Sequence, residues 1–150
     1  MISIRHATAA DAQRLAAIVR LSPEAGNWSE AELRESIANT TIRKCLVAEA
    51  DFGVAGFLLA SVPVAGEAEI LTLAVDPGAR RRGIASALVR ALLESAPGRV
   101  YLEVRRSNTA ARRLYERLGF VQAGVRTAYY ESPCEDAIVM QVTSDQSLPS

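Results

Sequence analysis

The stretch from Leu71 to Leu93 combines residue types that suit the binding of an anion. It reads as a buried strand, a turn at Asp76-Pro77-Gly78, and an amphipathic helix whose first turn holds only small or apolar side chains. The first backbone N–H groups of a helix lack partners inside the helix and carry partial positive charge. Gly83 and Ala85 would let a diphosphate approach those groups closely. The stretch therefore predicts a phosphate-binding helix start.

Arginine is concentrated in and after this stretch. Arg80, Arg81 and Arg82 adjoin the predicted helix start, and residues 80–126 hold eleven Arg but only three acids, although the chain has 17 Lys and Arg against 17 Asp and Glu. A basic segment in a neutral chain favours a small anionic ligand, because nucleic-acid-binding domains are usually basic overall. We therefore expect no direct nucleic-acid partner. The sequence also lacks a Walker A motif and the Gly-x-Gly-x-x-Gly motif of dinucleotide-binding folds.

Glu103 and Tyr115 are the side chains best suited to moving protons. Glu103 shares a strand face with Tyr101 and Arg105, and the residues alone favour a surface carboxylate that is neutralised by a nearby Arg. Tyr115 follows Asn108 by seven residues, so both project from one face of a helix. The residues alone also fit a stripe that packs into the core, made of Ala111, Leu114, Tyr115 and Leu118.

Metal ligands and strong nucleophiles are scarce in the sequence. The two cysteines, Cys45 and Cys134, and the one histidine, His6, show no metal-ligand spacing. We therefore expect no bound metal and no covalent catalytic nucleophile.

The elements that must position these side chains follow from the hydrophobic periodicity and from capping signals. The predicted strands span 2–6, 42–49, 54–62, 67–75, 99–105, 120–127 and 137–142. The predicted helices span 8–21, 29–39, 83–95 and 108–118, with Thr8, Ser29 and Asn108 as N-caps. Strands and helices mix without strict alternation, which predicts a mixed α/β fold in which helices cover a sheet.

Length and composition place these elements in one domain. The chain has 150 residues, 49% of them hydrophobic and 23% charged, which is ordinary globular usage. We assign 1–143 to the domain and expect 144–150 to be a flexible tail. The N-terminus shows no secretory signal, and the longest apolar stretch is too short and too broken to span a bilayer. These observations predict a cytoplasmic protein with no membrane partner, and we expect a monomer or a weak homodimer.

Two groups of motifs resemble a known enzyme superfamily. Arg80-Arg81-Arg82-Gly83-Ile84-Ala85 resembles the pyrophosphate loop of the GCN5-related N-acetyltransferase (GNAT) superfamily, Gln/Arg-x-x-Gly-x-Gly/Ala, with Ala85 where many relatives have Gly. Within that superfamily, five further stretches are similar to the RimI-type ribosomal-protein-alanine N-acetyltransferases: 27–30, 102–108, 114–120, Tyr129-Tyr130 and 135–140. The resemblance implies a central mixed, mostly antiparallel sheet of about seven strands flanked by about four helices.

The resemblance also implies a cofactor and roles for individual residues. Acetyl-CoA would be the cosubstrate, with no metal, and its pantetheine chain would lie beside the backbone of Leu73, Ala74 and Val75. The remaining residues implied to bind it are Arg80, Arg81, Arg82, Gly83, Ile84, Ala85, Ser86 and Asn108. Glu103 would be the general base, acting through water, and Tyr115 the general acid that protonates the departing thiolate. Trp28, Tyr129 and Tyr130 would form a wall facing a peptide, with ordinary packing as the alternative.

Three functions remain open on the sequence alone. The first is acetylation of a protein N-terminal α-amine, for which the resemblance implies the N-terminal alanine of a small-subunit ribosomal protein. The second is acetylation of a lysine side chain or a small-molecule amine by the same fold. The third is a domain that binds acetyl-CoA without turnover, although the presence of both Glu103 and Tyr115 argues against it.

Overall fold

A seven-stranded sheet covered by four α-helices forms the part of the chain that the computed structural model describes, residues 1–64, 66–95, 98–131 and 133–143. The strands are β1 Ser3–His6, β2 Arg43–Ala50, β3 Gly53–Ser61, β4 Glu67–Val75, β5 Arg99–Arg105, β6 Val121–Glu131 and β7 Cys134–Thr143. The helices are α1 Ala12–Arg20, α2 Glu30–Ala38, α3 Ile84–Ser95 and α4 Thr109–Arg117. The predicted mixed, mostly antiparallel architecture is therefore confirmed, while the expected tail at 144–150 lies outside the described residues.

The sheet separates in the middle, between β4 and β5. Its strand order is β1-β2-β3-β4-β5-β7-β6, and every neighbouring pair is antiparallel except β4 and β5. These two parallel strands pair only from Glu67 opposite Arg99 to Ile70 opposite Leu102. At the same level β4 carries a bulge against β3, which leaves Leu71 as an extra residue. Because a bulge bends its strand and increases the local twist, β4 leaves β5 beyond Ile70 and a cleft opens between them.

Apolar side chains fill both faces of the sheet. On one face, α3 packs against β1 to β4, and its buried Leu88 and Leu92 belong to the same apolar cluster as Leu102 of β5. On the other face, α1 and α2 bury Leu15 and Leu33 against β2 and β3. Complete burial of such a side chain contributes about 1.5–3 kcal/mol. The two cores therefore hold β4 from both faces of the sheet, and the first core also holds β5.

Two of the three predicted N-caps begin their helices as the sequence predicts, and the third, Thr8, does not cap α1. The Ser29 amide donates to Glu32 Oε1 at 2.9 Å, and Ser29 Oγ accepts from the Glu32 amide at 3.1 Å, which completes the expected capping box. Asn108 Oδ1 accepts from the Ala111 amide at 3.2 Å and so caps α4. After Thr8 the chain first forms a short 3₁₀ turn, Ala9–Asp11, before α1 begins.

The last two strands are longer than the periodicity predicts. β6 runs to Glu131 and β7 begins at Cys134, whereas the predicted strands span 120–127 and 137–142. The hairpin contains register shifts between Gln122 and Gly124 and between Arg126 and Tyr130, and Ala128 has a φ of 50°. These irregularities interrupt the two-residue alternation from which a strand is recognised. None of the helices in the described ranges is long and apolar enough to cross a membrane.

Candidate active site

The cleft between β4 and β5 holds a cavity of about 460 Å³. Residues 70–75 of β4 and 102–105 of β5 form two of its walls, α4 forms a third, and the loop 22–26 between α1 and α2 closes another side. On the side that faces β5, the backbone of β4 beyond Ile70 pairs with no described strand. An extended ligand could therefore pair with this part of β4 as an added strand would.

Glu103 extends from β5 into this cleft. Its side chain is only 13% exposed, and its Oε1 lies 3.3 Å from Arg126 Nε of β6. Its Oε2 is buried and has no hydrogen-bond partner among the described residues. The sequence predicts a neighbouring arginine, and the structure identifies it as Arg126, since Arg105 instead pairs with Glu135 at 3.3 Å. One oxygen of the carboxylate is thus held by a cation while the other remains free to accept a proton.

Tyr115 borders the same cavity from α4. It is 6% exposed, and its ring packs against Phe120 with a centroid distance of 5.4 Å. Burial raises the pKa of the Tyr115 hydroxyl above the usual value for tyrosine, because the phenolate loses solvation in an apolar environment. The hydroxyl therefore stays protonated at neutral pH and can serve as a proton donor. Tyr115 therefore shows both predicted features, because its ring packs in the core and the residue also borders the cleft.

Two arginines and two tyrosines contact one another at the outer rim of the cleft. Tyr130 borders the cavity, with the Arg105 guanidinium 4.3 Å from its ring centroid. Tyr129 meets Tyr130 edge-on at 5.1 Å and lies 5.2 Å from the Arg126 guanidinium. Cation–π contacts of this kind stabilise the arrangement by about 0.5–1 kcal/mol each at exposed sites. The rim therefore connects the exposed Tyr129 to Arg126, the partner of Glu103.

The three aromatic residues predicted to face a peptide lie at different places. Tyr130 borders the cavity, and Tyr129 is 48% exposed beside it. Trp28 does not border the cavity; it is partly buried against the core beneath α1 and α2, and its ring lies next to Gly26. Gly26 itself belongs to the loop that closes the cleft. Trp28 thus supports that loop from behind.

A second cavity of about 200 Å³ lies at the start of α3. Arg81 and Gly83 both adopt left-handed backbone conformations there, with φ of 67° and 74°. The residues bordering this cavity include Arg80, Arg81, Gly83, Ile84, Ala85 and Ser86. Arg82 borders neither cavity, because its guanidinium lies over the Phe52 ring at 6.0 Å. The structure thus brings six of the seven residues predicted from this loop to one cavity.

The two cavities adjoin each other. Val75, Arg80, Ala85 and Leu114 border both of them. A continuous groove therefore leads from Glu103, along the part of β4 that does not pair with β5, to the first turn of α3. Its far end has the free amides and the positive charge of a helix start, while its near end has a proton acceptor and a proton donor.

Asp76 fixes the turn that leads from β4 into this loop. Arg14 Nη2 of α1 donates to Asp76 Oδ2 at 2.6 Å, and the Gly78 amide donates to Asp76 Oδ1 at 2.7 Å. The hydrogen bond from Arg14 lowers the pKa of Asp76 below its usual value. Nothing in the local sequence around Arg14 indicated this contact, because its partner lies far along the chain.

Gly56 on β3 lets the end of β4 and the start of α3 approach closely. A Cβ atom at this position would lie 2.9 Å from the Ala74 carbonyl oxygen and 3.2 Å from Ile84 Cγ2. Its backbone does not need glycine for its φ, so the requirement is one of space. Gly56 was not among the predicted site residues, although a glycine inside a strand is a recognised sign of close backbone approach.

The cysteines lie apart from this groove. Cys45 is buried in β2, and burial raises the pKa of its thiol to about 12. Cys134 is exposed at the start of β7. Within the described ranges, no three or more His, Cys, Asp or Glu residues are grouped so that they could hold a metal ion.

Comparisons with known proteins agree with this geometry. Residues 12–120 match the acetyltransferase (GNAT) family. The [ribosomal protein bS18]-alanine N-acetyltransferase of Salmonella typhimurium is 42% identical over 97 residues, which are 61% of this chain and 65% of that protein. The N-alpha-acetyltransferase RimI of Mycobacterium tuberculosis is 46% identical over 76 residues, 50% of this chain and 48% of that protein. The matched regions therefore span less than two thirds of the length of these curated relatives.

A solved structure extends the comparison to nearly the whole chain. The crystal structure of the ribosomal-protein-S18-alanine N-acetyltransferase from Escherichia coli superposes with a TM-score of 0.84 at 31% sequence identity. The superposition covers 95% of this chain and 93% of that one.

Proposed function

The chain belongs to the acetyltransferase (GNAT) family, and we propose on that basis that it transfers the acetyl group of acetyl-CoA to the α-amine of a protein N-terminus. The acceptor we propose is the N-terminal alanine of a small-subunit ribosomal protein, which is the kind of activity named for its relatives from Salmonella typhimurium and Escherichia coli. One observation carries the proposal: the unpaired Glu103 Oε2 and the protonated Tyr115 border one cleft, which leads to the start of α3.

Acetyl-CoA would lie along the groove with its diphosphate at the start of α3. The free amides of residues 83–86 would bind the phosphate oxygens, with Arg80 and Arg81 adding charge. The pantetheine amides would pair with the exposed backbone of 73–75. Asn108 uses its Oδ1 to cap α4, which leaves its side-chain N–H groups to donate to the coenzyme.

The chemistry we infer is direct attack without a covalent enzyme intermediate. Glu103 Oε2 accepts a proton from the amine, through water, as the nitrogen lone pair attacks the thioester carbonyl carbon. Backbone N–H groups at 73–75 stabilise the negative charge on the carbonyl oxygen. When the tetrahedral intermediate collapses, the carbon–sulfur bond breaks and the thiolate takes the proton of the Tyr115 hydroxyl. The products are an acetylated amine and CoA, and the proton that Glu103 gained returns through water to the Tyr115 phenolate.

The ordinary pKa values of amines favour an α-amine as the acceptor. An α-amine has a pKa near ~8, so about one tenth of it is neutral at pH 7, whereas a lysine side chain has a pKa near ~10.4. An α-amine therefore needs less help from a base than a lysine side chain does. Tyr129 and Tyr130 at the rim would contact the peptide as it enters.

The test is an acetyl-transfer assay with peptides that differ only in their first residue, analysed by mass spectrometry. We expect acetylation of the α-amine, fastest when the first residue is alanine. Peptides with a blocked α-amine and free lysines, and free polyamines, are the controls. Acetylation of these controls alone would replace the proposal with a lysine or small-molecule enzyme. Binding of acetyl-CoA with no transfer to any acceptor would make the domain a non-catalytic binder.

A further inference from the structure

Two buried side-chain oxygens without a hydrogen-bond partner occur among the described residues, Ser22 Oγ and Glu103 Oε2. Both residues border the same cleft, one from the α1–α2 loop and one from β5. Buried polar groups in folded proteins nearly always have partners. Because both residues border one cavity, a single ligand bound there could supply both partners.

The Ser22 hydroxyl is not used by its own backbone. Ser22 is 4% exposed and stands at the N-cap of the 3₁₀ turn Pro23–Ala25, where a serine oxygen usually accepts a hydrogen bond from a backbone N–H. Here no such side-chain bond forms, and the Ala25 amide bonds to the Ser22 carbonyl oxygen at 2.9 Å. The hydroxyl therefore remains available to a molecule in the cleft.

The loop that carries Ser22 is held firmly against β4. Thr72 Oγ1 donates to the Ala25 carbonyl oxygen at 2.9 Å, and this bond is buried. The Ser22 amide donates to the Val19 carbonyl oxygen at 3.0 Å, which ties the loop to the end of α1. Ser22 thus has a fixed position relative to β4, and a ligand does not have to order the loop before contacting it.

The two oxygens have different hydrogen-bonding capacities. An ionised Glu103 can only accept, whereas the Ser22 hydroxyl can also donate. A matching ligand therefore carries an N–H donor with a hydrogen-bond acceptor close by. In a peptide N-terminus the α-amine is two bonds from the first carbonyl carbon, whereas in lysine the side-chain amine is six bonds from the nearest one.

We propose that the Ser22 hydroxyl donates to the first carbonyl oxygen of the acceptor peptide while Glu103 accepts, through water, from its α-amine. Ser22 would then select acceptors that have a carbonyl next to the amine. The inference rests on the proposed function, since it assigns a substrate feature to the same cleft.

The test compares two acceptor peptides that differ by one atom. One has an ordinary first peptide bond, and the other has a thiocarbonyl there, which is a weaker hydrogen-bond acceptor. For the unchanged protein we expect kcat/KM to be about 3- to 10-fold higher with the ordinary peptide, the size expected for one net hydrogen bond. For Ser22→Ala we expect the two peptides to give nearly equal values.

Ser36→Ala is the matched control, because Ser36 is a buried serine on α2 that does not border the cleft. It should keep the preference of the unchanged protein. Each preference is a ratio measured on one preparation, so partial unfolding of a variant does not alter it. An equal preference in Ser22→Ala and in the unchanged protein would overturn the role of Ser22 and leave the proposed function standing. Failure of the unchanged protein to acetylate the ordinary peptide would overturn both.

Discussion

Arg126 Nε of β6 lies 3.3 Å from Glu103 Oε1 of β5, although β7 runs between those two strands. In the register of the sheet, Glu103 faces Val139 of β7, and Val139 faces Gly124 of β6. The Arg126 side chain therefore reaches diagonally across β7. Since this contact holds one carboxylate oxygen, it restricts the orientation of the Glu103 side chain at the cleft.

Removing the Arg126 side chain should weaken catalysis through Glu103. Because Arg126 is 58% exposed, the ion pair is worth at most about 1 kcal/mol, and Arg126→Met should lower kcat/KM by about 2- to 5-fold. In a Glu103→Gln background the same change should have no further effect, because two residues that act as a unit are not additive. Steady-state kinetics of both single variants and the double variant measure this.

Arg99→Met is the control for Arg126. Arg99 also pairs with a carboxylate, Glu67 at 3.7 Å, and also lies over a tyrosine ring, that of Tyr101 at 4.7 Å, but it does not border the cleft. It should leave kcat/KM unchanged. If the Arg126 effect persists in the Glu103→Gln background, Arg126 acts by another route.

Glu103→Gln should lower kcat/KM by about 10²-fold at pH 7, the lower end of the range for general base catalysis. Part of the loss should be recovered toward pH 9, because more of the α-amine is then neutral without help from the protein. The pH dependence of kcat/KM checks this, with Glu67→Gln as a carboxylate control away from the cleft. If kcat/KM of Glu103→Gln equals that of the unchanged protein from pH 7 to 9, Glu103 is a structural carboxylate and not the base.

Tyr115→Phe should slow the reaction and leave the fold intact. The phenyl ring keeps the contact with Phe120, so the fold should not change. A thiolate is a good leaving group and depends less on a proton donor, so we expect kcat to fall only about 10-fold. Since burial raises the pKa of Tyr115, deprotonation of Tyr115 should not lower kcat of the unchanged protein below pH 10. Tyr101→Phe serves as the control. A loss of activity near pH 9 that vanishes in Tyr115→Phe would contradict the raised pKa.

Coenzyme A should stabilise the protein through the loop before α3. At a hundred times its dissociation constant it should add about 2.7 kcal/mol to the free energy of unfolding. Arg80→Gln should weaken binding more than Arg82→Gln, since Arg80 borders both cavities and Arg82 lies over Phe52. Thermal melts with increasing coenzyme A measure both variants. Equal weakening would mean that Arg82 leaves Phe52 when the coenzyme binds.

Arg14→Met should destabilise the protein in a pH-dependent way. The pKa of Asp76 is lower in the folded protein than in the unfolded chain, so its pair with Arg14 contributes stability above pH ~4 that is lost as the pH falls through the folded pKa. Because both side chains are partly exposed, we expect a loss of about 1 kcal/mol at pH 7 and less at pH 3.

Urea unfolding at the two pH values measures the Arg14 effect. Arg34→Met, which breaks the more exposed helical pair with Glu30, should cost about 0.3–0.5 kcal/mol and is the control. A loss for Arg14→Met that is the same at both pH values would mean that packing of the side chain, and not its charge, supports the turn.

Structural features that are set by residues close together in the chain could be predicted from the sequence. β4 begins and ends where the alternation predicts, at Glu67 and Val75, and Ser29 and Asn108 cap their helices. The end of β6 could not be predicted, because Ala128 breaks the alternation with a left-handed backbone.

Only part of the candidate site could be predicted from the sequence, for a related reason. Glu103 and the arginine loop lie in recognisable motifs, so they were found. Arg126 and Thr72 have no such motif, since each matters through a contact with a residue distant in sequence. Ser22 has none either, since it matters through its place at the cleft. Such contacts depend on how strands are ordered in the sheet, which local patterns do not encode.

The parallel pairing of β4 with β5 affects when the cleft between them forms during folding. β4 and β5 can pair only after the chain between them has crossed over through α3, and contacts so distant in sequence form slowly. The cleft also needs segments from residue 22 to residue 130, so no fragment contains it complete. Capture of coenzyme by a refolding chain should therefore be among the last events, and would mark the moment at which the native topology is finished.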